Sequence, residues 1–110
     1  MTFASVEMEV VRWGEARGII QNGKPMGQAV KTLEEVTELL DALLRRDIDD
    51  AKDAIGDIMV TLTMLCGILD VNLTDCYELA YNQIKNRKGY LRPDGVFVKT
   101  ETKVVPLVVV

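Results

Sequence analysis

The apolar positions of the chain recur at helical rather than strand spacing. They divide the first four-fifths of the sequence into four stretches separated by short turn signals. The first stretch runs from about Phe3 to Gln21, with Val6, Val10, Trp13 and Ile20 facing inward, and stops at Asn22-Gly23-Lys24-Pro25. The second runs from about Gly27 to Arg46, where Ala29, Val30, Leu33, Val36, Leu40, Leu43 and Leu44 form one apolar stripe. The third, about Asp49 to Leu69, is apolar nearly all round beyond Asp57, as befits the centre of a bundle or a subunit interface. The fourth starts after Asn72, with Asn72-Leu73-Thr74 as turn and helix cap, and extends to about Lys88 before Gly89 closes it. Beyond it, Pro93-Asp94-Gly95 signals a turn and Val96-Phe97-Val98 a short strand. The run Val104 to Val110 is suited to pairing with that strand or with a neighbouring subunit, and is aggregation-prone if left unpaired. The expected architecture is all-α: a single helical domain over residues 1–110, with core helices over about 3–89 and an extended or β-hairpin tail over 90–110.

Composition sharpens this picture. The chain has 110 residues, enough for one domain, and its 48% apolar content includes only 5% aromatics, so Leu, Ile, Val, Met and Ala must fill the interior. So much apolar surface on so short a chain favours a homo-oligomer, dimer or tetramer. The net charge of -4 offers no positive field for a nucleic-acid backbone, and nucleic acid is not expected as a partner. Residues 1–9 carry no basic region followed by an apolar one, and Ile58 to Leu69, bounded by Asp57 and Asp70, is too short to cross a bilayer. No membrane association is expected, and a cytoplasmic location with Cys66 and Cys76 reduced is the simple reading.

The chain contains no histidine, which excludes Ser-His-Asp and Cys-His machinery and His-ligated zinc. Residues 23–28 do not form a phosphate-binding P-loop, because Lys24 follows the first glycine directly. What remains is carboxylate. Lys31, Glu34, Glu35, Glu38 and Asp41 share one face of the second helix, which is either a solvated polar face or a ligand set. On the third helix Asp50, Asp53, Asp57 and Thr61 form one stripe. Asp57 lies two turns from the helix start among Ala54, Ile55, Ile58, Met59 and Val60, so it needs a basic partner, a metal or an edge position. Carboxylates from two facing helices suit Mg²⁺ or Mn²⁺, hard ions that prefer oxygen ligands and retain room for water and phosphate. Basic residues collect at the end of the fourth helix: Lys85 shares a face with Asn82, and Arg87 and Lys88 follow. They either favour the helix C-terminus or grip phosphate oxygens.

Taken in order, Lys31-Thr-Leu-Glu34-Glu35-Val-Thr-Glu38-Leu, then Asp53-Ala-Ile-Gly56-Asp57-Ile, then Asn82-Gln-Ile-Lys85-Asn-Arg87-Lys88-Gly89 resemble the signatures of MazG-like nucleotide pyrophosphohydrolases. The resemblance spans roughly Trp13 to Gly89. It implies a four-helix bundle of the all-alpha NTP pyrophosphatase type, oligomeric, with Mg²⁺ required. The implied reaction converts a nucleoside or deoxynucleoside triphosphate to the monophosphate and pyrophosphate. The EExxE signature falls on Glu34, Glu35 and Glu38, with Glu35 and Glu38 as metal ligands; the aspartate of the ExxD signature falls on Asp57, also a ligand. The glutamate of that second signature is replaced by Ala54, and Asp53, one position earlier, is the candidate substitute. Lys31, Lys85 and Asn82, with Arg87 and Lys88, would meet phosphate charge, and Trp13 would either pack or stack on the base. Two alternatives share parts of this pattern: a hydrolase of dUTP or phosphoribosyl-ATP, and a non-enzymatic oligomeric helical module with surface acids.

Overall fold

The computed structural model describes residues 1–100; the Val104 to Val110 run lies outside the described residues. The chain is mostly helical, all-α apart from one small hairpin. In order it forms α1 (Phe3–Ala16), α2 (Ile19–Asn22), α3 (Pro25–Leu44), α4 (Ile48–Ile68), α5 (Leu73–Ile84), β1 (Gly89–Leu91) and β2 (Phe97–Lys99). It divides into two compact units, the first Met1–Tyr77 and the second beginning at Glu78, so the division falls within α5. Among the described residues no single helix is long and apolar enough to cross a membrane.

In the first unit, α1 opens with a reciprocal cap in which Thr2 and Ser5 satisfy each other's backbone N–H. The sequence pattern reads as one helix to Gln21, but the chain breaks after Ala16. Gly18 takes φ 73, a left-handed conformation that glycine adopts without Cβ strain, and α2 begins on a new axis. Gly14 is buried against α4, where a Cβ would run into the Met64 thioether; this close approach brings α1 onto the centre of α4.

The most extensive packing is α3 against α4, an antiparallel hairpin turned at residues 45–47. Arg46 at φ 55 makes the turn, and Asp47 caps α4 by accepting from the Asp50 N–H at 3.0 Å. The Arg45 guanidinium binds Asp41 and Asp50 at 2.9 Å each and Asp47 at 3.3 Å, stapling the corner. Midway along the hairpin the Thr61 hydroxyl accepts from Thr32 at 2.9 Å and donates to the Ile58 carbonyl, which pins the register.

The face that α3 turns to α4 differs from the one its apolar stripe suggests. Glu35 and Ala42 are buried and Gln28, Thr32 and Leu39 half-buried on that side, whereas Val30, Leu33, Leu40, Leu43 and Leu44 remain exposed. The helix is therefore apolar on its outer face as well. The side that meets α4 matches small residues there, Ala51, Ala54 and Thr61, which allow close helix approach. Val6 and Trp13, expected to face inward, are also largely exposed; Val10 and Ile20 are half-buried.

The start of α5 is capped from a distance. The Glu7 carboxylate of α1 accepts from the Leu73 N–H at 2.7 Å, the Thr74 N–H at 3.0 Å and the Thr74 hydroxyl. Asn72, the residue the pattern marks as cap, turns its side chain to Asp75 instead. Burial alone would push the Glu7 carboxyl up, but the three donors together outweigh it and hold the group below its usual range.

In the second unit, α5 ends at Ile84, a turn earlier than expected, and Gly89 enters a strand rather than capping a helix. β1 and β2 pair antiparallel with Gly89 opposite Lys99, Tyr90 opposite Val98 and Leu91 opposite Phe97, so the strand signalled at Val96-Phe97-Val98 pairs with residues that follow α5, whereas the run offered as its partner lies outside the described residues. Gly95 at φ 87 completes the turn, and Asp94 holds it through Arg92 and the Val96 N–H.

Replacing Glu7 by Ala should destabilise the fold by about 1–2 kcal/mol at neutral pH, because two N–H groups and a hydroxyl lose a charged acceptor. Since the folded carboxyl is held below its ordinary value, this contribution is present above that value and fades as pH falls through the folded one. Urea titrations of both proteins from about pH 7 down to about pH 3 should show the gap between them closing.

Candidate metal centre

Two adjacent helices converge on a cluster of acids. Glu35 and Glu38 stand three apart on α3, and Asp57 reaches them from α4, one turn before the Thr32–Thr61 register pin. One carboxylate oxygen from each of Glu35, Glu38 and Asp57 lies within 4.8 Å of the other two, a spacing at which a single ion can bridge all three. Glu35 is 8% exposed, Asp57 half-buried and Glu38 exposed, so the cluster is graded from the helix contact out to solvent.

The electrostatics are unbalanced. The Glu35 Oε2 atom is buried and, among the described residues, has no hydrogen-bond partner. Its sister oxygen lies 3.7 Å from Lys31, whose ammonium is closer, at 3.2 Å, to Glu34. Burial, followed by the neighbouring Glu38, pushes the Glu35 carboxyl up, and Lys31 only partly offsets this. Burial, then the charges of Asp53 and Glu35, likewise push Asp57 up. Lys31 is raised as well, first by its bond to Glu34 and then by the charges of Glu34 and Glu35, which in its case favours the charged form. One lysine faces several acids, so the cluster carries excess negative charge against the helix contact. A divalent cation with oxygen preference satisfies both the orphaned oxygen and the repulsion, and the donor set fits such an ion.

The remaining sequence-derived candidates fall into three groups. Trp13 and Lys31 line one hollow of about 310 Å³ together with Glu35, Asp57 and Val60. The Arg17 guanidinium lies 4.4 Å from the Trp13 ring centroid, so one face of the indole already carries a cation; the i,i+4 spacing of Trp13 and Arg17 was the sequence signal for it. Glu34 and Asp53 stand outside the three-residue group, Glu34 exposed and engaged with Lys31, Asp53 exposed and close enough to raise Asp57. Asp53 lines a polar hollow of about 560 Å³ with Glu38, Asp41, Arg45 and Asp50, and Ala54 forms part of its wall. Asp41 and Asp50, members of the two carboxylate stripes, are neutralised by Arg45 in a structural role.

Asn82, Lys85, Arg87 and Lys88 belong to the second unit and are exposed there. Asn82 is on α5, whereas Lys85, Arg87 and Lys88 follow its last residue instead of forming its last turn. Lys52 is a cation the sequence reading passed over. With Phe3, Val6, Val10, Asp53 and Asp57 it lines an apolar hollow of about 550 Å³, and nothing in its spacing marked it out.

No protein-family model matches the chain, and no solved structure matches it. Over 56 residues it is 32% identical to an uncharacterized 18.2 kDa protein in the rep-hol intergenic region of Haemophilus phage HP1 (strain HP1c1). That stretch is 51% of this chain and 34% of the phage protein, so the chain spans about a third of the length of this relative.

Asp57→Asn removes one of the clustered charges while keeping the side-chain shape. It should raise the thermal midpoint of the metal-free protein and abolish any further rise on adding Mg²⁺ or Mn²⁺; the wild type should show that rise. Differential scanning calorimetry with and without metal reads both effects.

Proposed function

We propose that this chain is a Mg²⁺-dependent nucleoside triphosphate pyrophosphohydrolase of the MazG-like kind, a four-helix bundle of the all-alpha NTP pyrophosphatase type that works as a homodimer or homotetramer. The observation that carries the reading is the buried, unpartnered Glu35 oxygen set within common reach of Glu38 and Asp57. A surface acidic face has no reason to strand a carboxylate oxygen against a helix contact. A hydrolase that must neutralise phosphate charge does.

Glu35, Glu38 and Asp57 would hold Mg²⁺, or Mn²⁺ in its place, with Asp53 and Glu34 near enough to act through water. When bound, such an ion supplies charge neutralisation of the phosphates and makes water more acidic. Glu38, the exposed member of the cluster, would accept a proton from the water that attacks the α-phosphorus; Glu35 is the second candidate for that role. The bond from the α-phosphorus to the bridging oxygen breaks, and pyrophosphate leaves with the monophosphate as the other product. Lys31, in the same hollow as Glu35 and Asp57, would meet phosphate charge, and the free face of Trp13 would take the base. For Asn82, Lys85, Arg87 and Lys88 the proposed grip on phosphate rests on the sequence motif.

The oligomer follows from the outer face of α3. Met26, Val30, Leu33, Leu40 and Leu44 stand exposed at heptad-like spacing, opposite the side that meets α4. A second copy covers such a stripe at little cost in polar desolvation. The double substitution Leu33→Lys with Leu40→Lys should yield a folded monomer in sedimentation experiments, where the wild type sediments as a dimer or tetramer.

The reaction is tested by following pyrophosphate release from a panel of nucleoside and deoxynucleoside triphosphates, dUTP included, and from phosphoribosyl-ATP. Turnover should require Mg²⁺, and Asp57→Asn or Glu38→Gln should lower kcat by about 10²-fold to 10³-fold, the usual effect of removing a group that stabilises transition-state charge. Release that is absent for every nucleotide, with the metal-bound fold intact, favours the non-enzymatic helical module instead.

A further inference from the structure

The hollow of about 310 Å³ beside the acid cluster contains one polar side chain that the proposed reaction does not use. Ile19, Val60 and Met64 give the hollow an apolar lining, and Trp13 adds an aromatic ring that carries Arg17 at 4.4 Å from its centroid. Most polar groups there are engaged. Lys31 lies against Glu34 and Glu35, the Thr61 hydroxyl accepts from Thr32 and donates to the Ile58 carbonyl, and Glu35 and Asp57 belong to the three-acid cluster. Gln28 differs from them. It is half-buried in the first turns of α3, where its backbone N–H donates to the Lys24 carbonyl at 3.2 Å. The Thr32 hydroxyl lies against its main-chain carbonyl, whereas its carboxamide has no hydrogen-bond partner among the described residues. Of the groups lining the hollow, it alone is free to offer an acceptor oxygen and a donor nitrogen side by side.

The position of Gln28 along α3 adds a second constraint. Gln28, Lys31 and Glu35 recur at i, i+3 and i+7, so they share one helix face, and all three line the hollow. At about 1.5 Å of rise per residue, Gln28 stands about 10 Å before Glu35 along the helix axis, with Lys31 between them. That separation is comparable with the distance from the hydrogen-bonding edge of a nucleobase to its 5′-phosphate. One face of α3 thus presents a base-edge partner, a phosphate cation and a candidate metal ligand in the order in which a nucleotide presents the matching groups.

We propose that Gln28 is the base-reading residue of this site, its carboxamide pairing with the adjacent donor and acceptor on the edge of a base that lies against Trp13. The inference rests on the nucleotide reading given above. With an amino-type edge, adenine or cytosine, the base amino group donates to the Gln28 Oε1 atom and the Nε2–H donates to the ring nitrogen. With an oxo-type edge, guanine or uracil, the ring N–H donates to Oε1 and Nε2–H donates to the base oxygen. The two modes differ by a flip of the carboxamide. Since no neighbouring group among the described residues holds that carboxamide in one orientation, the site accepts both types of edge and has broad base tolerance.

Trp13 is the single tryptophan of the chain, so its fluorescence reports on this hollow alone. The full chain is titrated in Mg²⁺ with adenosine, cytidine, guanosine and uridine monophosphates, and pyrophosphate release from the corresponding triphosphates is followed in parallel. All four monophosphates should quench Trp13, with dissociation constants within about tenfold of one another. Gln28→Ala should weaken all four by about tenfold, as expected for loss of a two-bond contact to a base edge. Gln28→Glu keeps the size of the side chain and offers only acceptors, so it should raise the preference for adenosine and cytidine over guanosine and uridine by about tenfold. A role in packing alone does not reorder bases. Absence of quenching by any monophosphate, wild-type affinities in Gln28→Ala, or an equal effect of Gln28→Glu on all four bases overturns the inference. Quenching with the expected reordering but without pyrophosphate release supports the base site and counts against the hydrolase reading alone.

Discussion

The antiparallel contact of α3 with α4 determines where every chemically interesting group of the first unit stands, because the two helices approach over small side chains and carry acids into the contact. Ala42, Ala51, Ala54 and Thr61 leave little room between the helix axes, and Glu35 is drawn in with them until one of its oxygens loses all partners. An ionised carboxylate in that position weakens the metal-free fold, and Asp57 and Glu38 add to the repulsion. These acids include two on α3, a helix that is otherwise rich in leucine. A cluster that is unfavourable alone and favourable around a cation is the simplest physical reason to keep them.

The supports around the cluster are of a different kind, each neutralised locally. Arg45 collects Asp41, Asp47 and Asp50 and fixes the hairpin end. The Thr32–Thr61 bond fixes its register one turn from Asp57. Glu7 ties α1 to the first turn of α5. Most acids of the first unit that are in contact with a cation or a backbone donor thus do structural work, and Glu35, Glu38 and Asp57 stand apart because Lys31 is shared with Glu34 and balances them incompletely.

Much of this was legible from the residues. Helical periodicity located α3 and α4 to within two residues; Glu35, Glu38 and Asp57, which the fold brings together, lie on the two acidic stripes, but it was the resemblance to the EExxE and ExxD signatures, not the spacing, that singled them out from the other acids there. The hairpin was visible in Pro93-Asp94-Gly95, although its pairing strand, Gly89–Leu91, was hidden inside an expected helix end. Which face of α3 turns inward was not legible, because the helix is apolar on two sides and only the small residues of α4 decide between them. The break at Gly18 was missed because a single glycine in a helical pattern is usually tolerated, and here its left-handed φ redirects the chain. The capping role of Glu7 is a long-range consequence of where α1 meets the start of α5, for which one sequence contains no local signal.

The account rests on one ion shared by carboxylates from neighbouring helices, and an anomalous-difference map from crystals grown with Mn²⁺ addresses it directly. The account requires a peak bounded by oxygens of Glu35, Glu38 and Asp57, at metal–oxygen distances of about 2.0–2.2 Å as for small hard divalent ions. A map with no peak there, or with manganese only at the exposed acids of the α3–α4 corner, would contradict it.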